Sequence, residues 1–112
     1  MKTIKSKIDF NKVYMCGRQL RGKYVRVVYT NGTLPYARVA FAAGKRIGTA
    51  PVRNRCKRLL RAAVRNMVPT TFSAGYNFLF FATSATQYAH PASIAKELTR
   101  LIGTIRDTKP PL

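Results

Sequence analysis

Acidic side chains are nearly missing from this sequence. Asp9, Glu97 and Asp107 are its only carboxylate residues, and His90 is its only histidine, in 112 residues. A protein nuclease ordinarily gathers several carboxylates around two metal ions, or pairs a histidine with an acid. Three scattered acids and one histidine build neither, so self-sufficient hydrolysis is improbable and no catalytic or metal-binding residue is assigned. Cysteine is also scarce. Cys16 and Cys56 stand 40 positions apart, with no CxxC pair and no histidine at ligand spacing, which predicts idle thiols in a reducing compartment rather than a zinc site. Long apolar runs are absent too. The longest runs, Phe78 to Ala82 among them, have strand length, far from the ~20 residues of a membrane span. The opening MKTIKSKIDF lacks the apolar stretch of a signal peptide. The expectation is a soluble cytoplasmic protein with no membrane partner.

What the chain has in excess is positive charge. Twenty-one Lys and Arg against three acids give a formal +18, with a pI near 11.1. Such a field resists compaction and attracts polyanions, so a nucleic-acid partner leads. Apolar residues make up 46% of the chain, enough for one small core; residues 1–107 are expected to form a single domain and 108–112 a short tail. The charge is uneven. Residues 1–65 carry 17 bases and one acid, whereas 66–112 carry four bases and two acids. The binding surface is therefore expected on the first 65 residues.

The pattern predicts an α+β sandwich of order αβββαβα, with helices packed on a mostly antiparallel sheet of about four strands. Lys7 to Cys16 reads as a helix closed by Gly17. Tyr24 to Thr30 alternates as a strand, with Val25, Val27 and Tyr29 on one face and Tyr24, Arg26, Val28 and Thr30 on the other. Asn31-Gly32 and Pro35 suggest a turn, making Tyr36 to Ala43 the antiparallel return strand. Tyr76 to Thr83 is aromatic and nearly continuous in apolar residues, so Tyr76, Phe78, Phe80 and Phe81 read as core rather than as a base-stacking platform. Pro91 to Arg106 returns to helix, with His90 at its start. Pro110-Pro111 halts it.

Val52 to Met67 is the clearest helix. Pro51 suits its first turn and Pro69 its end. Val52, Cys56, Leu59, Leu60, Ala63 and Met67 form one apolar stripe. At 100° per residue, Asn54, Lys57, Arg58, Arg61 and Arg65 lie opposite that stripe, while Arg53 and Arg55 flank it. With Lys45 and Arg46 in the preceding loop, residues 45–65 hold eight bases and no acid. A solvated face usually mixes signs, because like charges one helical turn apart repel. An uncompensated row makes sense if a phosphate chain relieves it, and arginine suits bidentate phosphate contacts.

The segment RVAFAAGKRIGTAPVRNRCKRLLRAAVR resembles the signature of the bacterial ribonuclease P protein family. Arg53, Asn54, Arg55, Lys57, Arg58 and Arg61 match its RNRxKRxxR pattern position by position, and Arg65 matches the basic residue that follows. Lys45, Arg46, Gly48 and Ala50 match the loop before it; Asp9-Phe10, Val13-Tyr14 and Gly17 resemble its opening helix. Differences fall at Gly44, Thr49, Ala62, Val64, Asn77 and Thr83. Charges common in the family are missing at 62, 77 and 83, which predicts altered local salt bridging.

The resemblance implies a left-handed βαβ crossover and a specific role. The family's protein docks on a catalytic RNA subunit through Lys45, Arg46, Arg53, Asn54, Arg55, Lys57, Arg58, Arg61 and Arg65 as they stand here. It also holds the single-stranded 5′ leader of precursor tRNA in a cleft between the first helix and the sheet. For that cleft the residues nominated are Phe10 and Tyr14, with Tyr24, Arg26 and Val28 on the outer strand face; aromatics stack on unpaired bases while cations hold phosphates. Mg²⁺ is then required by the holoenzyme and bound mainly by RNA, with none held tightly by the protein. No obligate protein partner is expected. The alternative is a structural ribosomal RNA-binding protein without an enzymatic role; a nucleoid DNA-binding protein is more distant.

Overall fold

A computed structural model of the chain describes residues 2–32, 34–67 and 75–108. A short edge strand β1 (Lys2–Thr3) leads into helix α1 (Lys7–Cys16), then strands β2 (Arg18–Arg21), β3 (Val25–Asn31) and β4 (Arg38–Ala42). Helix α2 (Ala50–Arg65), strand β5 (Tyr76–Ala82) and helix α3 (Pro91–Thr108) complete the fold. Single 3-10 turns at Lys45–Ile47 and Thr86–Tyr88 precede α2 and α3. The α+β class and the helices-on-sheet build agree with the sequence expectation, and β1 and β2 raise the strand number to five.

The expected hairpin between β3 and β4 does not form. The sheet order is β1-β4-β5-β3-β2, so β5 lies between them, antiparallel to β3 and parallel to β4. The physical reason is burial. Tyr76 to Phe80 of β5 are all buried, and the centre of a sheet is where a nearly all-apolar strand has both edges paired and both faces covered. β3 runs through Asn31, and the Gly32 N–H donates to the Gly75 carbonyl just before β5 instead of closing a tight turn onto β4. β4, α2 and β5 thus form a βαβ unit with adjacent parallel strands.

Alternation along the strands divides the core in two. Val25 and Val27 of β3, Val39 of β4 and Tyr76, Phe78 and Phe80 of β5 pack with Leu60 of α2 and Ile94 and Leu98 of α3. On the opposite face Val28, Ala40 and Leu79 pack with Ile4 and Val13. One helix covers one face of the sheet and two cover the other. Each fully buried aromatic or aliphatic side chain, such as Phe78, Phe80 or Leu79, contributes about 1.5–3 kcal/mol.

Several boundaries differ from expectation. Gly17 follows α1 in an extended conformation (φ −80°, ψ 160°), not as a left-handed cap. Space is what requires glycine there, since a Cβ would lie 2.5 Å from the Val13 carbonyl oxygen and 2.5 Å from Val28 Cγ1. α2 begins at Ala50, with Pro51 in its first turn, and ends at Arg65 with Asn66 as its C-cap. His90 stands at the head of α3, where its Nδ1 accepts the Ala92 N–H at 3.0 Å. Pro69 and the tail residues 109–112 lie outside the described residues. No helix among the described residues is long and apolar enough to cross a membrane.

Candidate nucleic-acid interface

The buried seam of α2 is Cys56, Leu60, Ala63 and Val64, continued by Met67, with Val52 and Leu59 half-buried. Against the predicted stripe it is rotated by roughly 40° toward Val64, at 100° per residue. The cause is that α2 packs against the sheet and α3 together, which draws Val64 inward. Arg53 and Lys57 consequently sit half-buried on the flank, and Arg53 Nε is buried without a hydrogen-bond partner among the described residues. Asn54, Arg55, Arg58, Arg61 and Arg65 are exposed. Lys45 and Arg46, predicted in a loop, occupy the 3-10 turn that packs against α2, and both are exposed.

Carboxylates do not offset these charges. Among the described residues the one ion pair joins Asp9 Oδ2 of α1 to Arg38 Nη1 of β4 at 3.2 Å. Glu97 is engaged by backbone N–H groups of Lys23, Tyr24 and Val25. Asn77, one of the positions where the sequence predicts altered salt bridging, is buried and accepts from Arg38 Nε at 2.9 Å while donating to Thr30 Oγ1 at 3.1 Å. A neutral amide thus links β3, β5 and β4, and Arg38 finds its charge partner on α1. Arg61 interacts with the face of a ring, its Cζ lying 5.6 Å from the Phe41 centroid. The row Lys57–Arg61–Arg65 is left as an array of like charges one turn apart, which an anionic chain would stabilise.

A second surface lies where α1 crosses the sheet. Phe81 of β5 meets Phe10 edge-on at 6.0 Å and Tyr14 at 5.6 Å between ring centroids. Arg26, its cross-strand partner on β3, places Cζ 4.4 Å from the Phe81 centroid and donates to Gln19 Oε1 at 3.3 Å. Phe10, Arg26 and Phe81 are half-buried and Tyr14 is 42% exposed. Two nominated residues are not in this surface. Val28 is fully buried beneath α1, and Tyr24, just ahead of β3, packs against the α2–α3 core. Phe81 was missed because its aromatic neighbours Phe78 and Phe80 are core; strict alternation along β5, which puts Asn77, Leu79 and Phe81 on the α1 side, was the signal that could have found it.

Among the described residues no group of three His, Cys, Asp or Glu side chains could hold a metal ion.

Known proteins share this pattern. The family model described as Ribonuclease P matches residues 1–106. The ribonuclease P protein component of Clostridioides difficile (strain 630) is 31% identical over 101 residues, covering 90% of this chain and 89% of that protein. That of Symbiobacterium thermophilum is 42% identical over 84 residues, covering 73% and 71%. The RNase P protein of Thermotoga maritima shares the fold with a TM-score of 0.78 at 18% identity, covering 94% of this chain and 98% of that one. The Staphylococcus aureus RNase P protein does so with a TM-score of 0.75 at 20% identity, covering 93% and 94%. Nothing in these likenesses favours a ribosomal protein. With the Arg-Asn-Arg helix on an α+β sheet and a family model that matches residues 1–106, the chain belongs to the ribonuclease P protein family.

Proposed function

We propose that this chain is the protein subunit of ribonuclease P, binding the catalytic RNA subunit and the 5′ leader of precursor tRNA and assisting removal of that leader in the bacterial cytoplasm. The observation that carries the reading is the exposed Arg55, Arg58, Arg61 and Arg65 of α2, which no carboxylate among the described residues engages. Bases so placed are free to take phosphates, and together with Lys45, Arg46, Asn54, Arg53 and Lys57 they form the RNA-docking face. Counterion release from the bound RNA then supplies much of the affinity.

The leader is assigned to the α1 cleft. Phe10, Tyr14 and Phe81 offer ring faces and edges to unpaired bases, and Arg26 offers a cation beside them. Val28 acts from beneath by supporting α1, and Tyr24 has no part in the cleft. Mg²⁺ in the holoenzyme is assigned mainly to RNA, in keeping with two carboxylates, Asp9 and Glu97, that are already engaged within the protein. Chemistry at the phosphodiester is likewise assigned to the RNA subunit.

The test is reconstitution. Purified protein should restore precursor-tRNA cleavage by ribonuclease P RNA at low magnesium. The double variant Lys57→Ala, Arg58→Ala should lose most of that stimulation. Phe81→Ala should weaken binding of leader-bearing tRNA by about 1–3 kcal/mol while leaving mature tRNA unaffected. Full stimulation by the double variant would refute the assigned RNA face.

A further inference from the structure

A notch of about 530 Å³ opens at the sheet edge between β1, β4 and α2, shared by Arg61 and Arg65 of the α2 face and Phe10 of the α1 cleft. Its size lies within the roughly 300–1,000 Å³ common for small-ligand sites. β1 pairs only with Arg38 and Val39, whereas β4 continues to Ala42, so the last part of β4 has no strand on that side. Lys2, Arg61 and Arg65 line the opening, Ile4 and Val64 form apolar wall, and no acidic residue lines it.

The Arg61 side chain is the end of a built stack. Phe78 and Phe80 of β5 stack at 6.0 Å and 8°, and Phe80 stacks on Phe41 of β4 at 5.5 Å and 29°. The Arg61 guanidinium caps Phe41 at 5.6 Å. Ring and guanidinium planes stacked in this way are the platform on which nucleic-acid bases are held. Arg61 is exposed and lines the notch. Arg65, one helical turn further on, and Lys2, whose Nζ lies 4.8 Å from the Tyr36 ring centroid, also line the opening.

Resting on the reading of the chain as an RNA-binding subunit, we infer that this notch holds one nucleotide of a single-stranded RNA segment. Its base stacks on Arg61 and its phosphates meet Arg65 and Lys2. Arg61 therefore differs in kind from Arg58 on the same helix: it grips a base, not only the backbone. The track for single-stranded RNA then reaches from the α1 cleft, through Phe10, which lines both, around the β1 edge to α2.

The inference is tested with a fluorescent ten-nucleotide oligouridine and an abasic ribose-phosphate oligomer of equal length and charge. Arg61→Lys keeps the charge but removes the planar face. It should weaken oligouridine binding about tenfold and leave the abasic oligomer within twofold. Phe41→Leu, which removes the platform under Arg61, should give the same pattern, with circular dichroism verifying its fold. Equal losses on both oligomers, or no loss on either, would overturn the base-stacking assignment. Cleavage stimulation by wild-type protein is measured in parallel. If it is absent, the ribonuclease P reading fails and this inference with it; if it is present while Arg61→Lys shows no selective loss, the notch alone is refuted.

Discussion

The Glu97 carboxylate of α3 accepts the Tyr24 N–H at 2.8 Å, tying the third helix to the start of β3 across 73 positions of sequence. The same carboxylate accepts from Val25 N–H at 3.1 Å and from Lys23 N–H at 3.0 Å. Three backbone donors at the start of β3 are thereby satisfied by one side chain. Replacing it strands the donors, one of them on fully buried Val25. Glu97→Ala should lower stability by roughly 2–3 kcal/mol, with Glu97→Gln costing about half as much. Urea unfolding would read both. Gly22→Ala should also destabilise, because its Cβ would collide with Glu97 Oε1.

RNA affinity should fall with salt, and the slope should respond to single residues of α2. Arg58 is exposed, so Arg58→Ala should reduce the slope of log K against log salt by about 1. Titrations of the RNA subunit at several potassium concentrations give the value. An unchanged slope would mean that Arg58 touches no phosphate.

Gly103 lies within α3, exposed, with nothing within 4 Å of where a Cβ would stand. Glycine in a helix interior costs about 0.5–1 kcal/mol relative to alanine. Gly103→Ala should therefore stabilise by about that amount, seen as a higher urea midpoint with an unchanged slope. No effect on RNA binding is expected.

The two thiols should differ sharply in reactivity. Burial raises the Cys56 pKa, opposed in part by nearby Arg55, while Cys16 is exposed. Because the thiolate is the reactive species, a raised pKa leaves Cys56 protonated and slow at neutral pH. Native protein treated with iodoacetamide should take one equivalent at Cys16, and urea-unfolded protein two. Mass spectrometry of the peptides distinguishes the outcomes.

The sequence made α2 legible because its apolar positions recur at helical spacing and its bases cluster without acids. It made β5 legible as a central strand because nearly every side chain is apolar. The order of strands was hidden for a different reason. Alternation reports which face a residue takes but not which strand lies beside it, and Asn31-Gly32 carried a local turn signal that the pairing of β3 with β5 overrode. β1, two residues long, is held by Lys2 N–H to Ala37 carbonyl and Ile4 N–H to Val39 carbonyl, a register with no pattern of its own. At the site, the α2 cations were readable from the motif. Phe81 was not, since one apolar run serves both layers; Val28 failed because a strand face says nothing of what packs over it, and Tyr24 because it precedes β3, where alternation no longer sets the face.

Placing β5 between β3 and β4 has a consequence for how the protein is made. The ribosome releases both flanking strands before the one that joins them, so the nascent chain carries two open hydrogen-bonding edges until residue 82 has emerged. Non-local pairing of this kind delays assembly. The strongly cationic first half therefore leaves the exit tunnel before its sheet can close.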